Sequence, residues 1–104
     1  MGHVLPAAAL ERIPDQCRQY HVRRLDVFGS AADGRFDPAG SDIDLLVTFE
    51  PMQPVAYSKA YMGLHEAPIQ LFGRDVDLVT ERSIINPYFR RQVEAQRVPL
   101  FASP

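Results

Sequence analysis

Residues 27–30 (VFGS) and residues 42–47 (DIDLLV) decide the fold of this chain. Both are largely apolar runs typical of buried strands, yet the second begins with two carboxylates, Asp42 and Asp44. A third apolar run, VDLV, carries another carboxylate at Asp77. Because burying an unpaired carboxylate is costly, three of them in strand-like surroundings predict a compensating cation.

Asp42 and Asp44 are separated by one residue. Side chains alternate across a strand, so the two carboxylates should share one face, about 7 Å apart, while Ile43 and Leu45 face the other way. The alternative is that Asp42 caps a turn and Asp44 pairs with an arginine. The nearby Gly-Ser turn and the third acid favour a metal site over that alternative.

Three such carboxylates suit a two-metal site that transfers a phosphoryl group of a nucleotide. Two divalent cations about 3.5–4 Å apart lower the pKa of an acceptor oxygen and neutralise a leaving pyrophosphate. Mg²⁺ prefers carboxylate oxygens as ligands. We therefore expect Asp42 and Asp44 to bind two Mg²⁺ ions. Asp77 should complete the coordination of the ion that binds the acceptor oxygen, and it is also the candidate to take the proton of the acceptor.

Gly29-Ser30 follows the first strand and allows two interpretations. In the simpler one it is an ordinary strand-to-helix turn with Ser30 as the N-cap. In the sharper one Gly29 lets the backbone approach a phosphate, which the Ser30 hydroxyl and a helix N-terminus then hold. Gly29-Ser30 alone is a weak signal for phosphate binding. It becomes a strong signal when it is followed along the chain by Asp42, Asp44 and Asp77.

The composition predicts one soluble globular domain spanning residues 1–104. A formal net charge of -2 gives no electrostatic case for direct binding of nucleic acid. No apolar run reaches the roughly 20 residues of a membrane helix, and no basic-then-apolar leader is present, so we expect a cytoplasmic protein without a membrane partner. The single cysteine, Cys17, is compatible with a reducing compartment and is expected to be a core residue.

The predicted fold is α/β, or α+β in stricter usage: a short mixed sheet with helices packed mainly on one face. The absence of a full crossover helix between the first two strands argues against a doubly wound domain. Strands are expected over residues 22–28, 42–49 and 74–80, and a short terminal strand over residues 98–101 should lie at an edge because of Pro99.

Helices are expected before, between and after these strands along the sequence. The first, from Pro6 to about Tyr20, should be kinked or divided at Pro14, and the second, residues 56–72, should be disturbed at Pro68. Asn86-Pro87 should begin the last helix as an N-cap and a first-turn proline. Its predicted inner face comprises Tyr88, Phe89 and Val93, and its outer face Arg90, Arg91, Glu94 and Arg97.

At these residues the sequence resembles the nucleotidyltransferases with the DNA polymerase β fold, and most closely the minimal nucleotidyltransferases. Their signature is a Gly-Ser turn, a short glycine-containing loop and Ser-Asp-[Ile/Val]-Asp before an apolar strand. The matching segments are residues 27–34 (VFGSAADG), 41–47 (SDIDLLV), 73–79 (GRDVDLV) and 86–89 (NPYF). The resemblance implies that Asp42, Asp44 and Asp77 are the metal ligands and that Gly29 and Ser30 form the phosphate-binding turn.

The resemblance also implies an activity and a partner. Minimal nucleotidyltransferases are typically encoded beside a HEPN-domain protein in a toxin–antitoxin module. The implied reaction moves AMP from ATP onto a tyrosine of the HEPN RNase and silences it, which makes this chain the antitoxin. Many members carry an arginine after the Ala-Ala step, whereas here Asp33 precedes Gly34 and Arg35 follows it. Either Arg35 contacts the triphosphate from a shifted position, or nucleotide affinity is weakened.

Two other functions remain open at the level of sequence. One is an antitoxin with a weak or vestigial metal site that neutralises its partner by direct binding and masking. The other is transfer to a small molecule such as an aminoglycoside, which is disfavoured because the chain offers no second domain to bind such a substrate.

Overall fold

The fold is described from a computed structural model that defines residues 7–29, 43–72 and 76–103, with the backbone alone for residues 68–72. Its four strands, in chain order, are β1 (Val22–Phe28), β2 (Ile43–Phe49), β3 (Val76–Thr80) and β4 (Val98–Ala102). They form one sheet in the order β3-β2-β1-β4. β1 is antiparallel to both β2 and β4, whereas β2 and β3 are parallel. The prediction of a mixed sheet is confirmed.

Four helices are described, α1 (Ala7–Leu10), α2 (Ile13–Gln19), α3 (Pro54–Phe72) and α4 (Pro87–Gln96), together with a 3₁₀ turn at Glu81–Ser83. The first predicted helix is divided as expected, and Pro14 lies in the first turn of α2. There its missing N–H removes no intrahelical hydrogen bond.

The main core lies between one face of the sheet and the helices α2 and α3. Leu25 and Leu45 from the sheet, Ile13 and Cys17 from α2, and Leu64 from α3 are each at most 1% exposed. Burial raises the pKa of the Cys17 thiol to about 12, although Arg18 opposes the shift. Cys17 is therefore a core residue, as predicted, and a poor nucleophile.

A smaller core on the opposite face holds α4 against the sheet. It consists of Phe28, Leu46, Ile84 and Val93, with Val79 packed against it. Most helical residues thus cover one face, as predicted, while α4 alone among the described helices covers the other. Asp44 and Asp77 also lie on this second face, because they alternate along β2 and β3 with residues of the main core.

The two edges of the sheet are protected in different ways. Along the outer edge of β3, the Tyr61 hydroxyl donates to the Leu78 carbonyl at 2.7 Å, and His65 Nε2 lies 2.8 Å from the Val76 carbonyl oxygen. At the other edge, β4 carries Pro99 as predicted. A proline at an edge discourages pairing with a further strand.

Three sequence predictions about the helices need correction. The backbone of α3 continues through Pro68, which removes one hydrogen bond without ending a helix already packed on the sheet over its earlier turns. Of the predicted inner face of α4 only Val93 is buried: Tyr88 is 72% exposed, and Phe89 is 38% exposed because it only packs edge-on against Phe28. Arg97, predicted to face outward, has a side chain that is only 6% exposed.

Candidate functional site

Asp44 and Asp77 are direct neighbours in the parallel pairing of β2 and β3. Neighbouring residues of this kind point their side chains to the same face, from strands about 4.8 Å apart. Asp44 is half-buried and Asp77 is exposed. Both carboxylates therefore lie near the beginning of their strands, on the face that also holds α4, and they meet at a surface open to solvent.

Gly29 follows the last residue of β1 and lies against one of these carboxylates, that of Asp44. Phe28, the preceding residue, is the cross-strand partner of Asp44. Gly29 has a φ of 71°, in the left-handed region that favours glycine, and a Cβ placed on it would collide with Asp44 Oδ2. Backbone conformation and the nearby Asp44 side chain thus both disfavour a larger residue here. Among the described residues, the structure therefore places Gly29 of the predicted turn against Asp44, which is paired in turn with Asp77.

The end of helix α4 also reaches this turn. The Gly29 N–H donates to Gln96 Oε1 at 3.3 Å, across 67 residues of sequence. Nothing in the local pattern around Gln96 predicted this contact, because a polar residue near a helix end usually faces solvent. Gly29 consequently contacts the Gln96 carboxamide through its N–H and lies against the Asp44 carboxylate.

A buried group of charges fixes the end of α4 against β1. Arg97 Nε donates to Asp26 Oδ2, and the Asp26 side chain is 0% exposed. Arg97 Nη1 also donates to Glu81 Oε1 at 3.0 Å, and Glu81 Oε2 accepts from Thr48 Oγ1 at 2.8 Å. Arg24 adds a second cation beside Asp26, at 3.1 Å. A buried carboxylate with two arginines is well compensated.

The charges of this group shift each other's pKa values. The hydrogen bond from Arg97 lowers the pKa of Glu81 to about 2, with a further contribution from Thr48 and against the effect of burial. Burial alone would lower the pKa of Arg97, but its hydrogen bonds to Glu81 and Asp26 raise it above its ordinary value. Both residues stay charged throughout the physiological range.

Sequence analysis missed the role of Arg97, although a signal existed. Asp26 lies between Leu25 and Val27 in a strand, and the argument that a buried carboxylate requires a cation applies to it as well. What the sequence could not supply was which of several arginines would pair with it.

The donor set fits a divalent cation. Two carboxylates on adjacent strands, facing the same way, offer the hard oxygen ligands that Mg²⁺ prefers. Within residues 7–29, 43–72 and 76–103, no group of three or more His, Cys, Asp or Glu side chains converges as a metal site. The third predicted ligand, Asp42, lies outside these ranges, as do Ser30 and Arg35.

A cavity of about 360 Å³ lies at the opposite ends of β2 and β3. It is lined by Glu81, Arg82 and Tyr57 among others, and the Arg82 guanidinium lies 4.3 Å from the centre of the Tyr57 ring. Neither Asp44 nor Asp77 lines this cavity, so it is separate from the carboxylate site.

The chain belongs to the nucleotidyltransferase domain family, whose sequence profile matches residues 10–100. It is 37% identical over 76 residues to "Putative protein adenylyltransferase MJ1379" of Methanocaldococcus jannaschii, a match that covers 73% of this chain and 74% of that protein. A second relative from the same organism, "Putative protein adenylyltransferase MJ1217", is 34% identical over the same shares of the two chains. The predictions of the family and of a nucleotidyltransferase activity are confirmed.

Solved structures show the same fold. One described as a "putative minimal nucleotidyltransferase" superposes with a TM-score of 0.73 at 35% identity, covering 88% of this chain and 89% of the other. Another, the MNT antitoxin in complex with a tri-AMPylated HEPN toxin of Shewanella oneidensis, gives a TM-score of 0.60 at 23% identity, covering 92% and 71%. The second likeness concerns the fold alone. The predicted minimal nucleotidyltransferase architecture is confirmed.

Among the described residues, no helix is both long and apolar enough to cross a membrane.

Proposed function

We propose that this chain is a Mg²⁺-dependent protein adenylyltransferase that moves AMP from ATP onto a tyrosine of a HEPN-domain toxin and thereby acts as its antitoxin. The observation that carries the proposal is the pairing of Asp44 with Asp77 beside the constrained Gly29 turn. The named activity of the relatives supports a protein acceptor. The complex of an MNT antitoxin with an AMPylated HEPN toxin, which shares this fold, supports the choice of partner.

The proposed residue roles follow from position in the sheet. Asp42, Asp44 and Asp77 would hold two Mg²⁺ ions, which supply Lewis acidity at the α-phosphate and lower the pKa of the acceptor hydroxyl. Gly29 and Ser30 would bind the β- and γ-phosphates, and Arg35 would contact the triphosphate. Asp77 is exposed, so an incoming tyrosine can reach it.

The reaction balances as a simple displacement. The tyrosine oxygen forms a bond to the α-phosphorus, and the bond between the α-phosphorus and the bridging oxygen to the β-phosphate breaks. Pyrophosphate leaves, and the tyrosine proton passes to the Asp77 carboxylate and then to solvent. The carboxylates and the turn thus position the reactants in line.

We place this activity in the cytoplasm, with no direct contact to nucleic acid. The one cysteine, Cys17, is a buried thiol rather than part of a disulfide, which suits a reducing compartment.

Neutralisation of the partner RNase distinguishes transfer from masking. The Asp44→Asn/Asp77→Asn double variant should no longer neutralise a HEPN partner in the presence of ATP and Mg²⁺. Asp15→Asn is the matched control, because the Asp15 side chain is 89% exposed and contacts only the surface residue Arg18 within the described structure. Neutralisation retained by the double variant would contradict transfer and favour masking.

A further inference from the structure

We propose that Gln96 is a nucleotide-binding residue, whose carboxamide is held by Gly29 so that its two Nε2–H donors face the triphosphate. The inference rests on the proposed function, since it assumes a nucleotide bound at the Gly29 turn. Gln96 would thus add a residue of helix α4 to a nucleotide site that otherwise consists of the carboxylates and the Gly-Ser turn.

The chemistry of the carboxamide fixes its orientation. The Gly29 N–H is a donor, and Gln96 lies 3.3 Å from it, so the atom that accepts must be Oε1 and cannot be Nε2. This removes the usual ambiguity between the two ends of a glutamine side chain. The Nε2 group, with two N–H donors and no acceptor role, then takes no part in the contact with the Gly29 N–H.

Buried residues before and after Gln96 in the sequence fix its position. Val93, one turn earlier on α4, is 1% exposed in the smaller core. Arg97, the next residue, is anchored to the buried Asp26 and to Glu81. A side chain between two such anchors loses little freedom when it binds a ligand, so its donors are pre-organised.

Hydrogen-bond donors at the turn would favour polyphosphate binding, because a carboxylate lies close by. Asp44 lies against Gly29, so a polyphosphate entering the turn meets a nearby carboxylate. Neutral N–H donors at the turn offset that repulsion without adding a side chain to the crowded Gly29 position. Gln96 is the residue of α4 that contacts the turn by a hydrogen bond in this structure.

Equilibrium binding of ATP with Mg²⁺ to the purified protein, measured by titration calorimetry, tests the proposal. Gln96→Glu keeps an oxygen that can accept from Gly29 but replaces both donors with negative charge. We expect it to weaken ATP binding by about 10- to 100-fold. Gln96→Ala should weaken binding by about tenfold or less, because it removes the donors without adding repulsion. Gln92→Glu is the matched control at an exposed position one turn earlier on α4 and should stay within about twofold of wild type.

The amide resonance of Gly29 provides a readout that does not depend on activity. In nitrogen-15 NMR spectra of the ATP-free protein, the Gly29 amide resonance should shift in Gln96→Ala, which loses the hydrogen bond. It should shift less in Gln96→Glu, which keeps an acceptor oxygen. An unchanged Gly29 resonance in Gln96→Ala would show that the contact does not exist and would overturn the proposal.

The outcomes separate this proposal from the function on which it rests. Wild-type protein that binds no nucleoside triphosphate would overturn both. Wild-type binding with unchanged affinity in Gln96→Glu would overturn the role of Gln96 alone. Tighter binding by Gln96→Ala would also overturn it, because Oε1 would then be a competitor of the phosphate for the Gly29 N–H.

Discussion

Arg97 and Asp26 form an ion pair that joins the residue after the last helix to the middle of β1. Both side chains are almost fully enclosed, at 6% and 0% exposure. The pair ties the C-terminal end of α4 to β1, and the adjacent Gln96 connects this helix to the Gly29 turn. Stability and the candidate site are therefore coupled through one short segment of chain.

Removal of Arg97 should destabilise the protein strongly. Arg97→Leu leaves Asp26 buried beside Arg24 alone, and breaking a buried pair in this way costs about 3–5 kcal/mol. Chemical unfolding monitored by circular dichroism measures the loss. Arg91→Leu, at an exposed position on the same helix, is the control and should change the free energy of unfolding by no more than about 0.5 kcal/mol. Equal effects of the two substitutions would contradict the structural role of Arg97.

Glu81 should make stability depend on acid pH. Its pKa in the folded protein is about 2, below the ordinary value of 4.5, so its contribution is fully present above pH 4.5 and is lost as pH falls towards 2. Between pH 6 and pH 3, the wild type should lose about 1–2 kcal/mol more than Glu81→Gln, after allowance for partial exposure.

The matched control for this pH dependence is Glu66→Gln, at an exposed position on α3. It should lose as much stability as the wild type between the two pH values, as measured by urea unfolding. A Glu81→Gln variant that also lost as much as the wild type would show that Glu81 is not linked to Arg97 in solution.

Gly29 and Asp44 should be coupled in a double-mutant cycle. Gly29→Ala is strained by its φ of 71° and by the collision of the new Cβ with Asp44 Oδ2. We expect a loss of about 1–3 kcal/mol in the wild-type background. In an Asp44→Ala background the collision disappears and only the backbone strain remains, so the loss should be smaller by about 1 kcal/mol. Additive effects would show that the two residues are not in contact.

Asn86 should contribute to stability as the N-cap of α4. Its side-chain oxygen accepts from the backbone N–H groups of Tyr88 at 2.9 Å and Phe89 at 3.2 Å. Asn86→Ala should cost about 1 kcal/mol, whereas Asn86→Asp should retain the cap. Thermal unfolding of the two variants compares them directly, and an equal loss of stability in both would contradict the capping role.

The parts of the fold that sequence predicts well are those set by local physics. Asn86 followed by Pro87 marked the start of α4, and Pro14 marked the division between α1 and α2, because capping and proline geometry act within a few residues. The strand predicted over residues 74–80 follows the same local rule, since its side chains alternate between the main core at Leu78 and the other face at Val79.

Contacts between distant segments explain what the sequence did not predict. Gln96 contacts Gly29, and Arg97 contacts Asp26, across 67 and 71 residues of sequence, so no short window of sequence contains the information. The exposure of Tyr88 was not predictable either, because on α4 it is the Phe89 ring that packs edge-on against Phe28 of the smaller core. Asp44 and Asp77 were both predicted from their place in apolar strands, but their direct pairing follows from the parallel register of β2 and β3, which no local pattern predicted.

The most direct test of the account is the intact mass of a HEPN-domain partner after incubation with this protein, ATP and Mg²⁺. The account predicts that the partner gains the mass of AMP, or a multiple of it, with wild-type protein and with Asp15→Asn. Asp44→Asn should produce no gain, because the carboxylate beside Gly29 is lost. A stable complex whose partner keeps its original mass, or an equal gain with Asp44→Asn, would contradict the proposed transfer at this site.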